Sequence, residues 1–226
     1  MVTDQVEERL HEVAEIVKPR LRGVLHEAAF AVSLVTGTAL VILAEGAMAV
    51  VACCVYAASV SLLFGTSAAY HRGSWSPRGR AVMERLDHSM IFVLIAGSYT
   101  PFCLVVLQGT ARWVVFGITW GGALAGVITR NAFRKKPRWL FTFIYLALGW
   151  VAVGIMPALL EEGGVVVLVM LVAGGLLYTA GGIVYARKRP DPSPAWFGFH
   201  EVFHALTLAA FACHYVAISF AVYRAP

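Results

Sequence analysis

His71, His200 and His204 are the residues of this chain whose types and spacing could do chemistry. His200 and His204 stand four apart, so on a helix their rings share one face about 6 Å apart along the axis. The string His200-Glu201-Val202-Phe203-His204 has the form H-E-x-x-H, in which two imidazoles hold a zinc ion. The other reading is a pair of histidines hydrogen-bonding between helices. His71 adds a third imidazole from another segment, and three imidazoles with a water make the open four-coordinate zinc arrangement of hydrolytic sites. A closed structural site calls for a fourth protein ligand, and no cysteine is placed to supply it. Ser67 lies one turn before His71 on the same face. It could hydrogen-bond a substrate carbonyl or the metal-bound water, or its own i−4 carbonyl. Asp87 could hold that water or accept a histidine N–H, or pair with Arg85 at an interface. His88 points about 100° away from Asp87. His26 is expected as a supporting donor, and His214, about 15 Å beyond His204, as an interhelical hydrogen bonder.

The elements that must carry these residues are membrane spans. Of the 226 residues 59% are hydrophobic and only 14% charged, against about 25% charged in soluble domains, and mean hydropathy is +0.74. These values exclude a soluble enzyme or a disordered chain. Apolar runs occur at 26–44, 48–70, 88–108, 111–129, 139–159, 164–185 and 199–222, each near the length of about 20 residues that a bilayer core requires. The expected fold is all-α, a bundle of seven transmembrane helices. Sixteen of the eighteen Lys and Arg side chains fall before span one or in the connections 2–3, 4–5 and 6–7, leaving only Arg112 and Arg224 on the other side. Basic residues are retained in the cytoplasm, so the N-terminus is expected to be cytoplasmic and the C-terminus extracytoplasmic in a multi-pass cell-membrane protein. In that orientation His26, His71, Asp87 and His200 converge on one leaflet from four spans. Ionisable residues inside a membrane are costly and usually functional. The pI of 9.2 then points to the anionic membrane face, not to nucleic acid. Membrane lipid is the expected partner.

Residues 1–22 are read as a separate amphipathic cytoplasmic helix, with Val2, Val6, Leu10, Val13, Val17 and Leu21 on one face. Residues 23–226 form the seven-span domain. The acidic N-terminus lacks the pattern of a cleaved signal peptide. Cys53, Cys54, Cys103 and Cys213 are read as small hydrophobes, and Trp139, Trp196, Tyr185, Trp113 and Tyr223 as interfacial anchors.

The string Ser67-Ala-Ala-Tyr-His71 is followed by Arg85-Leu-Asp87-His88-Ser-Met-Ile-Phe, by Ala96-Gly-Ser-Tyr-Thr-Pro-Phe102, and by His200-Glu-Val-Phe-His204 with Cys213-His214-Tyr. In this order the motifs resemble the hemolysin III family, the bacterial branch of the progestin and adipoQ receptors, which include adiponectin receptors. The resemblance runs over nearly the whole chain. It implies seven spans, zinc held by His71, His200 and His204, an aspartate at Asp87 supporting the zinc-bound water, and a serine at Ser67 nearby. In the receptor branch the position of Glu201 is commonly another residue, so the resemblance implies no general-base role for it; turned about 100° from the histidine face, Glu201 is expected to face lipid or a loop. A wider likeness to alkaline ceramidases implies zinc-dependent hydrolysis of a lipid amide or ester. The alternative is a non-catalytic, zinc-stabilised sensor or receptor-like protein of membrane lipid homeostasis. A pore-forming hemolysin and an intramembrane metalloprotease rank behind these. No lysine lies within a span, which excludes a retinal Schiff base.

Overall fold

The computed structural model describes residues 19–132 and 138–223, and no strand occurs among them. The amphipathic helix expected over 1–22 lies, through residue 18, outside the described residues. The long helices are α1 (Val24–Ile42), α2 (Ala47–Arg72), α3 (Pro77–Pro101), α4 (Gly109–Ala132), α5 (Arg138–Gly149), α6 (Gly164–Arg187) and α7 (Phe199–Tyr223). By length and composition, six described stretches can cross a membrane: Val24–Ile42, Ala47–Arg72, Pro77–Val106, Gly109–Ala132, Trp139–Arg187 and Phe199–Tyr223. The expected spans five and six thus fall within one stretch of 49 residues. As a straight helix it would run about 74 Å, more than twice the bilayer core of about 30 Å.

That stretch does not stay straight. The chain tightens to 3₁₀ geometry at Trp150–Ile155 and widens to a π-helical turn at Leu159–Gly163. Gly164 then takes φ +82° and ψ 172°, a backbone region that L side chains rarely enter. The Trp150 indole donates to Thr179 Oγ1 at 3.0 Å, and Gly182 lies against Thr142 and Leu146. The α5 and α6 halves therefore lie side by side and antiparallel.

Each helix packs on the next, α1 on α2 through to α6 on α7, and α7 returns to α1. Helix α3 also touches α5 and α7 and lies in the most enclosed of the six stretches. Small residues set the spacing. A Cβ on Gly97 would overlap the Ser59 side chain, and one on Gly126 would overlap the Phe92 ring. Backbones approach this closely only where side chains are absent or short. The outer surface is apolar, with Val35, Ile42 and Phe143 among the most exposed residues, as suits a face in contact with lipid.

Helix α3 begins eleven residues before the apolar run that announced it. Ser76 caps it by accepting the Gly79 N–H at 3.2 Å, and Pro77 occupies its first turn. Arg78, Arg80 and Arg85, expected in a connection, thus ride on helix. Hydropathy stops at the charges, whereas helix geometry does not.

Candidate metal centre and its cavity

The end of α2, the early turns of α3 and the start of α7 meet at the end of the bundle where Arg22, Arg72, Arg80, Arg130 and Arg187 lie. One ligand atom from each of His71, His200 and His204 lies within 4.8 Å of the others. His71 Nε2 and His200 Nε2 are 3.1 Å apart. Either one N–H donates to the other ring, or two lone pairs face a shared cation. Tetrahedral bonds of 2.0–2.1 Å place ligand nitrogens about 3.3 Å apart, so the pair fits a metal. His204 is buried, and its Nδ1 has no hydrogen-bond partner among the described residues. Such a group costs about 1–3 kcal/mol unless something takes it. The three imidazoles therefore form a cluster that could hold a metal ion.

The neighbours are organised around Ser67, buried on α2 one turn from His71. His26 Nδ1 and Ser67 Oγ are 2.8 Å apart, and the Ser67 side chain also lies beside the Asp87 carboxyl group. The Ser67 hydroxyl can donate or accept, so it is able to bridge His26 and the Asp87 carboxyl. The alternative of a serine bonding its own helix carbonyl gives way to this bridge. Asp87 Oδ2 also lies 3.9 Å from His88 Nδ1. His88 is tied elsewhere: Nδ1 sits 2.7 Å from the Glu84 carbonyl, and Nε2 is 3.2 Å from the Tyr185 hydroxyl. Tyr185 therefore faces inward and is not the interfacial anchor it was expected to be. Trp139, Trp196, Trp113 and Tyr223 are exposed as anchors require.

His26 is more central than its sequence context suggested. Its ring stacks on His204 with centroids 3.6 Å apart and planes 8° from parallel. Gly23 makes this possible: at φ +81° it starts α1 with its Cα pressed to His71, where a Cβ would stand 2.7 Å from the His71 Cβ.

Glu201 faces the turn before α1 and the loop before α7, not lipid. It is 1% exposed and pairs with the Arg22 guanidinium through Nε and Oε1. Its Oε2 accepts the Gly198 N–H at 2.9 Å, the reach-back half of a capping box. The Phe199 N–H is taken by Asp191 Oδ1 at 2.8 Å. Residue 201 does turn away from the histidine face, but what it meets there is the segment before α1. Arg20 and Leu21 donate main-chain hydrogen bonds to the Ala195 and Trp196 carbonyls, and the Arg20 guanidinium lies 4.3 Å over the Trp196 ring. The spacing of residues in α7 carries no signal of that neighbour.

The histidine cluster opens on a cavity of about 920 Å³. Its polar mouth includes Arg22, Arg80, Glu84 and Arg130, and beyond the cluster the wall becomes apolar with Leu63, Ile91, Leu94 and Ile95. The cysteines carry no disulfide. Cys53 and Cys103 are buried, Cys213 is half-buried, and Cys54 is exposed on the outer face.

The description "Haemolysin-III related" matches residues 14–215, which include every residue of the cluster. This chain belongs to the haemolysin III-related family. It is 33% identical over 175 residues to the Hemolysin-3 homolog of Bacillus subtilis (strain 168), covering 76% of this chain and 78% of the relative. It is 32% identical over 174 residues to Hemolysin-3 of Bacillus cereus, covering 77% and 76% respectively. It is also 27% identical over 180 residues to the human Monocyte to macrophage differentiation factor, covering 76% and 71%. The haemolysin III-related region thus contains the cavity-lining residues and all of the helical ring except the last eight residues of α7, leaving only the first 13 and last 11 residues of the chain outside the match.

Proposed function

We propose that the protein is a seven-span membrane hydrolase that uses zinc at His71, His200 and His204 to cleave an amide or ester bond of a lipid. The observation that carries this reading is three imidazole nitrogens within 4.8 Å of one another on the wall of a cavity that continues into an apolar interior. Antiparallel packing of α5 on α6 supports two crossings within Trp139–Arg187. The distribution of basic residues supports a cytoplasmic N-terminus, an extracytoplasmic C-terminus and a metal site in the inner leaflet.

Zinc bound there supplies Lewis acidity and lowers the pKa of a water towards 7. The chain's own residues supply the remainder. Asp87 takes the proton that the attacking water loses. Ser67, held by His26 and lying beside Asp87, keeps its hydroxyl at the site, where it stabilises the oxygen that gains charge. Water adds to the carbonyl carbon, the bond to the amine or alcohol breaks, and the leaving group departs with a proton from Asp87. The apolar wall holds the acyl chain and excludes bulk water.

The test is turnover of a ceramide-type amide and a matched ester by purified, zinc-loaded protein. Activity should be lost in His71→Ala and fall at least about 100-fold in Asp87→Asn with zinc retained. A second reading, a zinc-stabilised sensor, is favoured by one observation: the cluster ties α2 to α7. It predicts no turnover, together with a large fall in stability in His71→Ala.

A further inference from the structure

The cavity does not end where the apolar wall begins. Along α7 it reaches His214, about 15 Å beyond His204 on the helix axis. On α3 it includes Ser98, eleven residues or about 16 Å beyond Asp87, and so at a comparable depth. Tyr178 of α6 completes the group, its ring 5.3 Å from His214 and nearly edge-on. The stretch between the metal cluster and this group is lined by Leu63, Ile91, Leu94 and Ile95, with Thr142 and Tyr145 of α5 also in the wall and the Tyr145 hydroxyl donating to the His88 carbonyl at 3.1 Å. The one hydroxyl of α7 along it, Thr207, is engaged with the Phe203 carbonyl.

His214 is built into the bundle at a cost. Both ring nitrogens are buried, and neither has a hydrogen-bond partner of normal geometry among the described residues. The Leu171 carbonyl lies beside the ring without closing such a bond. The facing helix leaves out a side chain to admit the ring, because a Cβ on Gly174 would fall on it. An apolar side chain would fill that space without stranding two polar atoms in hydrocarbon surroundings. His214 is itself part of the cavity wall, and χ2 is a soft torsion, so a small turn of the ring is the movement a ligand would require.

We infer that His214, with Tyr178 beside it and Ser98 at a comparable depth on α3, forms a second polar subsite, and that the preferred ligand is an acyl chain carrying a hydroxyl roughly a dozen atoms from its carbonyl, set by the ~15 Å separation. This rests on the hydrolase reading for the position of the carbonyl at the histidine cluster. An unsubstituted chain would leave the deep imidazole unsatisfied, whereas a mid-chain hydroxyl can donate to one ring nitrogen. A hydroxyl much nearer the carbonyl would meet apolar side chains and hydroxyls already engaged, Tyr145 with His88 and Thr207 with Phe203.

The experiment is equilibrium binding of octadecanoic, 6-hydroxyoctadecanoic and 12-hydroxyoctadecanoic acids to the zinc-loaded, full-length protein in lipid nanodiscs. The 12-hydroxy acid should bind about tenfold tighter than the unsubstituted acid, and the 6-hydroxy acid no tighter than it. In His214→Phe, which keeps a planar ring, the 12-hydroxy preference should vanish while zinc content is unchanged. If that variant does not fold, the comparison of the two positional isomers on the wild-type protein still decides. Equal binding of all three acids, or a preference that survives His214→Phe, overturns the subsite. Equal binding with lipid-amide turnover intact leaves the hydrolase reading standing. A 12-hydroxy preference without turnover would keep the subsite and remove the hydrolase.

Discussion

Replacing Glu201 tests whether the H-E-x-x-H string works as chemistry or as architecture. The Glu201 side chain is 1% exposed and its Arg22 partner 21% exposed. Removing one member of a buried ion pair costs about 3–5 kcal/mol, but water reaches the freed guanidinium in part and screens it. Glu201→Gln should therefore destabilise by about 2–3 kcal/mol, below the fully buried range. Its amide oxygen can still accept the Gly198 N–H that Oε2 accepts at 2.9 Å. Glu201→Ala loses that cap as well and should cost about 1 kcal/mol more. In the double variant Arg22→Gln/Glu201→Gln the loss should be less than the sum of the single losses, because neither partner is left charged. The assay is reversible unfolding in mixed micelles, with zinc content measured on the same samples. Zinc should stay stoichiometric throughout, since the carboxylate oxygens are committed to Arg22 and Gly198. A Glu201→Gln protein within about 0.5 kcal/mol of wild type would refute the ion-pair reasoning. One of normal stability, with full zinc and no turnover, would make Glu201 a general base.

Three further outcomes are expected. Each of His71→Ala, His200→Ala and His204→Ala should lose stoichiometric zinc by metal analysis of the purified protein, because two imidazoles and water hold zinc weakly, whereas His88→Ala should retain it, its nitrogens being engaged with Glu84 and Tyr185. Gly97→Val should destabilise by about 1–3 kcal/mol or more in the same unfolding assay, since even a Cβ there overlaps Ser59; a neutral result would mean that α2 and α3 can separate freely. A reporter fused after Arg224 should be accessible from outside and one inserted within 130–138 only from the cytoplasm, and the opposite labelling would move the metal site to the outer leaflet.

Much of this protein follows from composition and spacing alone. An excess of apolar residues leaves only helices able to satisfy the backbone in lipid, and the positions of the breaks place the spans. The i, i+4 pair His200 and His204 shares a face because 3.6 residues make a turn, so two of the three cluster histidines were local geometry. The arrival of His71 beside it could be anticipated only as a common depth, inferred from the direction of each span. Which helices stand next to one another is a matter of packing, and depth along an axis carries no information about neighbours around it. That packing brings α1 against α2 and α7, stacks His26 on His204 and sets Ser67 between His26 and Asp87. It also turns Glu201 from an apparent surface residue into the buried partner of Arg22, 179 positions away. The single stretch from Trp139 to Arg187 shows the same division. Its apolar length is written in the sequence, but its fold-back is held by Trp150 meeting Thr179 and Thr142 meeting Gly182, contacts between residues 29 and 40 positions apart that local spacing does not encode.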